Sequence, residues 1–184
     1  MRKRVFIAIE LPEEIKEKIS KILEEIKPLF KFPIRWLKSE NWHLTLVFLG
    51  YQSDEDVRLI SEKLKAFVSK QKPFEILLDK IIYGPPNRPP RMIWGQAKSP
   101  EYGILKELIE KELINIGINF QKENRLPNPH VTLARFQPAT QKLPEIEIPL
   151  NLIFQVKTVI LMESKLTGFG ADYYCLDQFT LSHL

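Results

Sequence analysis

A single cysteine, Cys175, stands in a sequence of 184 residues. One thiol cannot close an internal disulfide or build a cysteine-rich metal site, and its apolar, aromatic surroundings read as those of a small buried hydrophobe. Histidine is nearly as scarce, with three copies. His-x-His does not occur, and Glu-x-x-His occurs once, from Glu40 to His43, so the three or four ligands of a zinc site at recognisable spacing are not expected. No stretch approaches the roughly 20 apolar residues of a membrane helix. The basic opening Met1-Arg2-Lys3-Arg4 leads into an apolar run that Glu10 cuts short, below the about 7–15 residues of a secretory core segment. The glycine-rich phosphate loop of nucleotide-driven ligases is missing as well. These absences lead us to expect a cytoplasmic protein without membrane, metal or cofactor.

What is present is ordinary globular material: 44% hydrophobic and 27% charged residues, with a net charge of +4. That excludes a disordered or collagen-like chain and leans only slightly toward an anionic partner. Apolar runs at 5–9, 43–49, 74–82, 92–97, 130–136, 152–162 and 173–181 read as strands. Helices are predicted after Pro12 (Ile15, Ile19, Ile22, Ile26, Leu29), after the N-cap Ser53, and after Ser99-Pro100 with Gly117 at the end. The order β-α-β-α-β-β-α-β-β-β predicts an α+β fold with mainly antiparallel sheet, in one domain over residues 1–184. Proline and arginine fill the stretch 84–91, which must be a loop.

One pattern occurs twice. His43-Leu44-Thr45-Leu46 in the first half is echoed by His130-Val131-Thr132-Leu133 in the second. A lone His-x-Thr on a strand is commonplace; the repeat is the signal. Residues two apart share a strand face, so each His projects with its Thr while the apolar residues point into a core. Two such strands side by side would line one cleft with two imidazoles and two hydroxyls. Imidazole titrates near neutrality, so one ring can take a proton from water while the other gives one to a departing alkoxide. Hydroxyls suit the non-bridging oxygens of a phosphate. The set fits hydrolysis of a phosphodiester by a paired acid and base. His183, next to the C-terminus, reads as a solvated terminal residue.

At these residues the sequence resembles the two-histidine phosphoesterases, and within them the RNA 2′,3′-cyclic phosphodiesterases, also called 2′-5′ RNA ligases. Phe6-Ile7-Ala8-Ile9 with Leu11-Pro12 is similar to the family's opening strand and helix start. The run from Asn41 to Gly50 resembles its first motif, and Pro129-His130-Val131-Thr132-Leu133-Ala134-Arg135 its second. The resemblance implies two pseudo-symmetric α+β lobes, helices outside, with the active-site cleft between them. It implies opening of a terminal 2′,3′-cyclic phosphate on RNA to a 2′-phosphate, with 2′-5′ ligation as the related reverse reaction.

By the same resemblance His43 and His130 are the acid–base pair, His43 activating water and His130 protonating the O3′ leaving group in one of the two possible orders. Thr45 and Thr132 bind phosphate oxygens, and Phe48 and Arg135 sandwich the terminal base. The implied partner is RNA ending in a 2′,3′-cyclic phosphate, tRNA fragments included, bound by a monomer. Strict alternation sets Phe48 opposite His43 and Arg135 opposite His130, so either the strands bulge or these two residues serve elsewhere. For Phe48 the alternative is core packing, for Arg135 a surface or phosphate-steering charge.

Arg88, Arg91, Lys122 and Arg125 are further candidates for the RNA backbone, although such charges are usually just solvated. Trp36, Trp42 and Trp94 read as core. Two other functions stay open on the sequence: a module that binds RNA ends or nucleotides without turnover, and the same chemistry on 2′-5′ oligonucleotides or ADP-ribose cyclic phosphate.

Overall fold

The structure is a computed structural model that describes residues 2–123, 127–137, 142–168 and 170–182. Arg125, Phe169 and His183 therefore lie outside the described residues. Among those described, nine strands and three α-helices form the fold.

The first strand, β1 (Arg2–Glu10), buries both faces. Val5, Ile7 and Ile9 enter the main core, while Phe6 and Ala8 join a second, small cluster with Ile160 and Met162. Helix α1 (Glu13–Ile26) follows Pro12 and buries Ile15, Ile19 and Ile26 of the predicted stripe together with Leu23, whereas Ile22 is only partly buried and Leu29 lies exposed beyond the helix end. A two-residue strand, β2 (Arg35–Trp36), precedes β3 (His43–Ser53). Helix α2 (Asp54–Val68) is closed at its start by reciprocal bonds: the Asp56 N–H donates to the Ser53 hydroxyl at 3.0 Å, and the Ser53 N–H to the Asp56 carboxylate at 3.1 Å. Strands β4 (Phe74–Gly84) and β5 (Met92–Lys98) flank the proline-rich loop, as predicted. Helix α3 (Pro100–Asn115) is capped by Ser99 and stopped by Gly117, whose φ of 82° suits glycine. Strands β6 (His130–Arg135), β7 (Ile148–Val156), β8 (Thr158–Thr167) and β9 (Gly170–Thr180) complete the chain.

The strands make one antiparallel sheet in the order β7-β4-β5-β6-β3-β1-β8-β9, with β2 also on β6. The predicted α+β fold is thus correct, and the two lobes are halves of one sheet. Halves of four strands meet where β6 lies beside β3, and there the described register pairs Leu44 with Val131. Each half contributes one His-x-Thr strand to this seam. The three helices pack on one face, where they bury the main core. The other face of the central strands is left to the cleft. No helix among the described residues is long and apolar enough to cross a membrane.

Three expectations are corrected. The run 152–162 is not one strand: only Lys157 separates β7, at one edge on β4, from β8, in the other half on β1. Apolar residues on both sides of Lys157 hide that switch from a periodicity reading. Cys175 is exposed, not buried, because it lies on the edge strand β9. Lys122, a candidate for RNA, instead reaches Glu110 at 3.5 Å and does not line the cleft.

Candidate active site

Both His-x-Thr strands carry the same irregularity. On β3, His43 and Thr45 are half-buried, Leu44 is buried, Leu46 and Val47 are both buried, and Phe48 is exposed. On β6 the sequence of environments repeats through His130, Val131, Thr132, Leu133, Ala134 and Arg135. The registers give the cause. Where β1 steps from Ile7 to Ala8, β3 steps from Val47 to Thr45 and leaves Leu46 unmatched. Where β5 steps from Ile93 to Trp94, β6 steps from Ala134 to Thr132 and leaves Leu133 unmatched. Each extra residue is a β-bulge that reverses the alternation. Phe48 therefore returns to the face of His43, and Arg135 to that of His130, which resolves the conflict with strict alternation.

The cleft over this seam has a volume of about 980 Å³ and takes His43, Thr45 and Phe48 from one half and His130, Thr132 and Arg135 from the other. All six predicted residues line it. The two rings are held alike: the Nδ1 of His43 bonds the Asn41 carbonyl at 2.8 Å, and the Nδ1 of His130 the Asn128 carbonyl at 2.8 Å. A carbonyl only accepts, so each Nδ1 carries hydrogen and each Nε2 is left as the acid–base atom. The repeat in the sequence is in fact Asn-x-His-x-Thr-Leu, two residues longer than the tetrads. Asn128 is the signal that sequence reasoning passed over.

The surroundings of the rings differ. His43 lies between aromatic neighbours, with Phe6 tilted at 4.9 Å and Tyr173 edge-on at 5.1 Å. Burial pushes its pKa down to about 4; the Asn41 carbonyl acts in the opposite direction, and the charges of His130 and Arg135 add to the lowering. His43 is neutral at pH 7. His130 instead stacks flat on Trp94, with centroids 3.7 Å apart. Trp94 is buried, as expected of a core residue, yet it also lines the cleft. Tyr173 was not singled out, since nothing in its strand repeats a motif.

Arg4, Arg35, Arg88, Arg91 and Arg135 line the cleft with Glu123 as the one carboxylate, among the described residues. Arg4 covers the Phe48 ring at 4.9 Å, and Phe6 stacks beside that ring at 6.2 Å. Phe48 lies beyond Leu44 on β3 and Arg135 beyond Val131 on β6, and the strands are antiparallel. At about 3.3 Å per residue, the two backbones reach opposite ends of the cleft. The two backbones thus flank the histidines from both sides, and the charge of Arg135 is felt at His43. Among the described residues no group of three or more His, Cys, Asp or Glu is gathered as a metal site would require.

Comparison with known proteins identifies the family. Residues 9–94 match the family model described as LigT like Phosphoesterase. A Methanocaldococcus jannaschii protein named RNA 2′,3′-cyclic phosphodiesterase is 34% identical, over 96% of this chain and 99% of its own. A Thermotoga maritima protein of the same name is 32% identical, over 94% and 92%. The chain belongs to the LigT-like phosphoesterases. The family model covers the first tetrad of this LigT-like phosphoesterase, and the full-length relatives take in the second. The protein TT0787 of Thermus thermophilus shares the fold, with a TM-score of 0.82, 24% identity and 97% of each chain covered. The LigT of E. coli, solved with 3′-AMP, has a TM-score of 0.78 at 25% identity over 100% of each chain.

Proposed function

We propose that this phosphoesterase opens the 2′,3′-cyclic phosphate at the end of an RNA and leaves a 2′-phosphate. The observation that carries the reading is the pair of matched imidazoles, each anchored through Nδ1, on neighbouring strands of one cleft. The relatives named RNA 2′,3′-cyclic phosphodiesterase, similar over nearly the whole chain, support it.

In this mechanism the Nε2 of neutral His43 takes a proton from water as the water oxygen attacks phosphorus. The P–O3′ bond breaks, and the Nε2 of protonated His130 gives its proton to O3′. The protons exchange with solvent before the next cycle, so the balance is one water added per bond opened. Hydroxyls of Thr45 and Thr132 donate to the non-bridging oxygens, where charge builds during attack. Phe48 offers its face to the terminal base. Should a 5′-hydroxyl of RNA replace water, the same proton transfers form a 2′-5′ phosphodiester. We place the reaction in the cytoplasm, catalysed by a monomer without metal, with tRNA fragments among the substrates.

Turnover of a nucleoside 2′,3′-cyclic phosphate in excess chelator tests the proposal. We expect hydrolysis, most of which is lost in His43→Ala and in His130→Ala. Binding without product would favour a nucleotide-binding module instead, and activity confined to 2′-5′ oligonucleotides or ADP-ribose cyclic phosphate would move the chemistry to another substrate.

A further inference from the structure

We infer that Tyr102 of α3 is a positioning residue for Thr45: its hydroxyl holds the β3 backbone from the helix face of the sheet, so that the Thr45 side chain meets the phosphate. The inference rests on the function proposed above and adds to it a residue that does not line the cleft.

The Tyr102 hydroxyl donates to the Thr45 carbonyl, a partner 57 positions away in the sequence. That carbonyl belongs to the peptide joining Thr45 to Leu46, the residue that the bulge leaves unmatched on β1. A bulge disrupts the ladder locally, and a buried carbonyl then needs a donor from elsewhere. The seam on the other side offers little support, since its described register is the one pair of Leu44 with Val131. The carbonyl carbon and Cβ of Thr45 are bonded to the same Cα. Fixing the carbonyl therefore sets the direction in which the side chain enters the cleft.

Tyr102 is itself held firmly. It is the third residue of α3, its N–H donates to the Ser99 hydroxyl at 3.4 Å, and Pro100 starts the helix with its φ already set. The residue is 4% exposed. Burial, with the charge of Glu123 adding to it, pushes the pKa of the phenol up. The hydroxyl keeps its proton and stays a donor.

The bond also crosses between the halves of the sheet. Helix α3 joins β5 to β6 in one half, whereas Thr45 is on β3 in the other. In α1 the third residue is Ile15, which is buried in the core and has no hydroxyl to donate. The support is one-sided: it serves Thr45 and not Thr132.

A double-mutant cycle tests this, read as single-turnover kcat and as KM on a nucleoside 2′,3′-cyclic phosphate. Tyr102→Phe keeps the ring and removes only the hydroxyl. We expect it to lower kcat by about tenfold at unchanged KM, the cost of a catalytic group set slightly out of place. In a Thr45→Ala background, where no hydroxyl remains to be positioned, the same change should cost less than about twofold. In a Thr132→Ala background it should cost the full factor. Ile109→Val, a core change on the same helix, should lower the melting temperature and leave kcat unchanged.

A kcat that Tyr102→Phe leaves intact, or a loss as large without the Thr45 hydroxyl as with it, would overturn the role while the proposed hydrolysis stands. An equal loss of kcat in Ile109→Val would also overturn it, as a general effect of stability. Absence of turnover by the wild type would instead defeat the proposed function. The same cycle is then read from dissociation constants for a nucleoside 2′-phosphate, where coupling of Tyr102 to Thr45 alone supports the role and additivity overturns it. Circular dichroism and thermal melting establish that the variants are folded.

Discussion

Trp94 lies flat against His130, the planes of the indole and the imidazole 19° from parallel. Behind the indole is Gly84: a Cβ there would stand 2.2–2.6 Å from the ring atoms of Trp94. Backbone, indole and imidazole are thus stacked in three layers, and the order of the stack fixes the ring plane of His130.

Gly84→Ala should therefore act on a residue it does not touch. The added methyl must push the indole into His130 or displace the strand end, an overpacking penalty of about 1–3 kcal/mol. We expect a lower melting temperature and a kcat reduced by about tenfold or more, since small misplacements of a catalytic group are costly. Trp94→Phe keeps a flat face and should retain more kcat than Trp94→Leu. Equal activity in the Phe and Leu variants would contradict a positioning role for the ring.

The burial of His43 has a thermodynamic consequence. Its folded pKa of about 4 lies below the ordinary imidazole value of 6.5. Between those limits the unfolded chain holds a proton that the folded chain has shed, so stability rises with pH across that window. The contribution is complete above pH 6.5 and is lost as the pH falls toward 4, by an amount on the order of 3 kcal/mol. Melting temperatures from pH 4 to 7 should climb more steeply for the wild type than for His43→Gln. Parallel curves would show that the ring is not desolvated.

The hydroxyls carry less of the reaction than the rings. Loss of either histidine should lower kcat by about 10²–10⁴-fold, the usual share of one general acid or base. Thr45→Ala and Thr132→Ala should reduce it less, and with similar size, because the two positions are equivalent across the seam. The check is single-turnover rate at saturating substrate. A threonine variant as damaged as the histidine variants would assign proton transfer to the wrong groups.

Phe48 separates binding from chemistry. It sits five positions past His43 in the sequence and, by virtue of the bulge, on the same face. Phe48→Ala should raise KM with little change in kcat, and Phe48→Trp should restore KM. A drop in kcat at unchanged KM would place the ring in catalysis.

The sequence made the site more legible than the sheet. The tetrads named both histidines and both threonines because period-two alternation needs no tertiary knowledge. Phe48 and Arg135 conflicted with that alternation, and only strand registers disclose the unmatched Leu46 and Leu133 that carry them back. A bulge in an apolar run leaves no compositional trace. Lys157 hid a change of half for the same reason. Tyr173 and Trp94 reach the cleft through strand order, which depends on pairings between distant segments. Cys175 misled because its apolar neighbours suggested a core, whereas an edge strand keeps part of its surface in solvent.

Identification of the product from a cyclic-ended RNA oligonucleotide in ¹⁸O-labelled water tests the account most directly. It predicts a 2′-phosphate with one labelled oxygen on phosphorus, formed in chelator and slowed about 10²–10⁴-fold when either His43 or His130 is replaced by alanine. A 3′-phosphate, or product formation that survives loss of both rings, would contradict it.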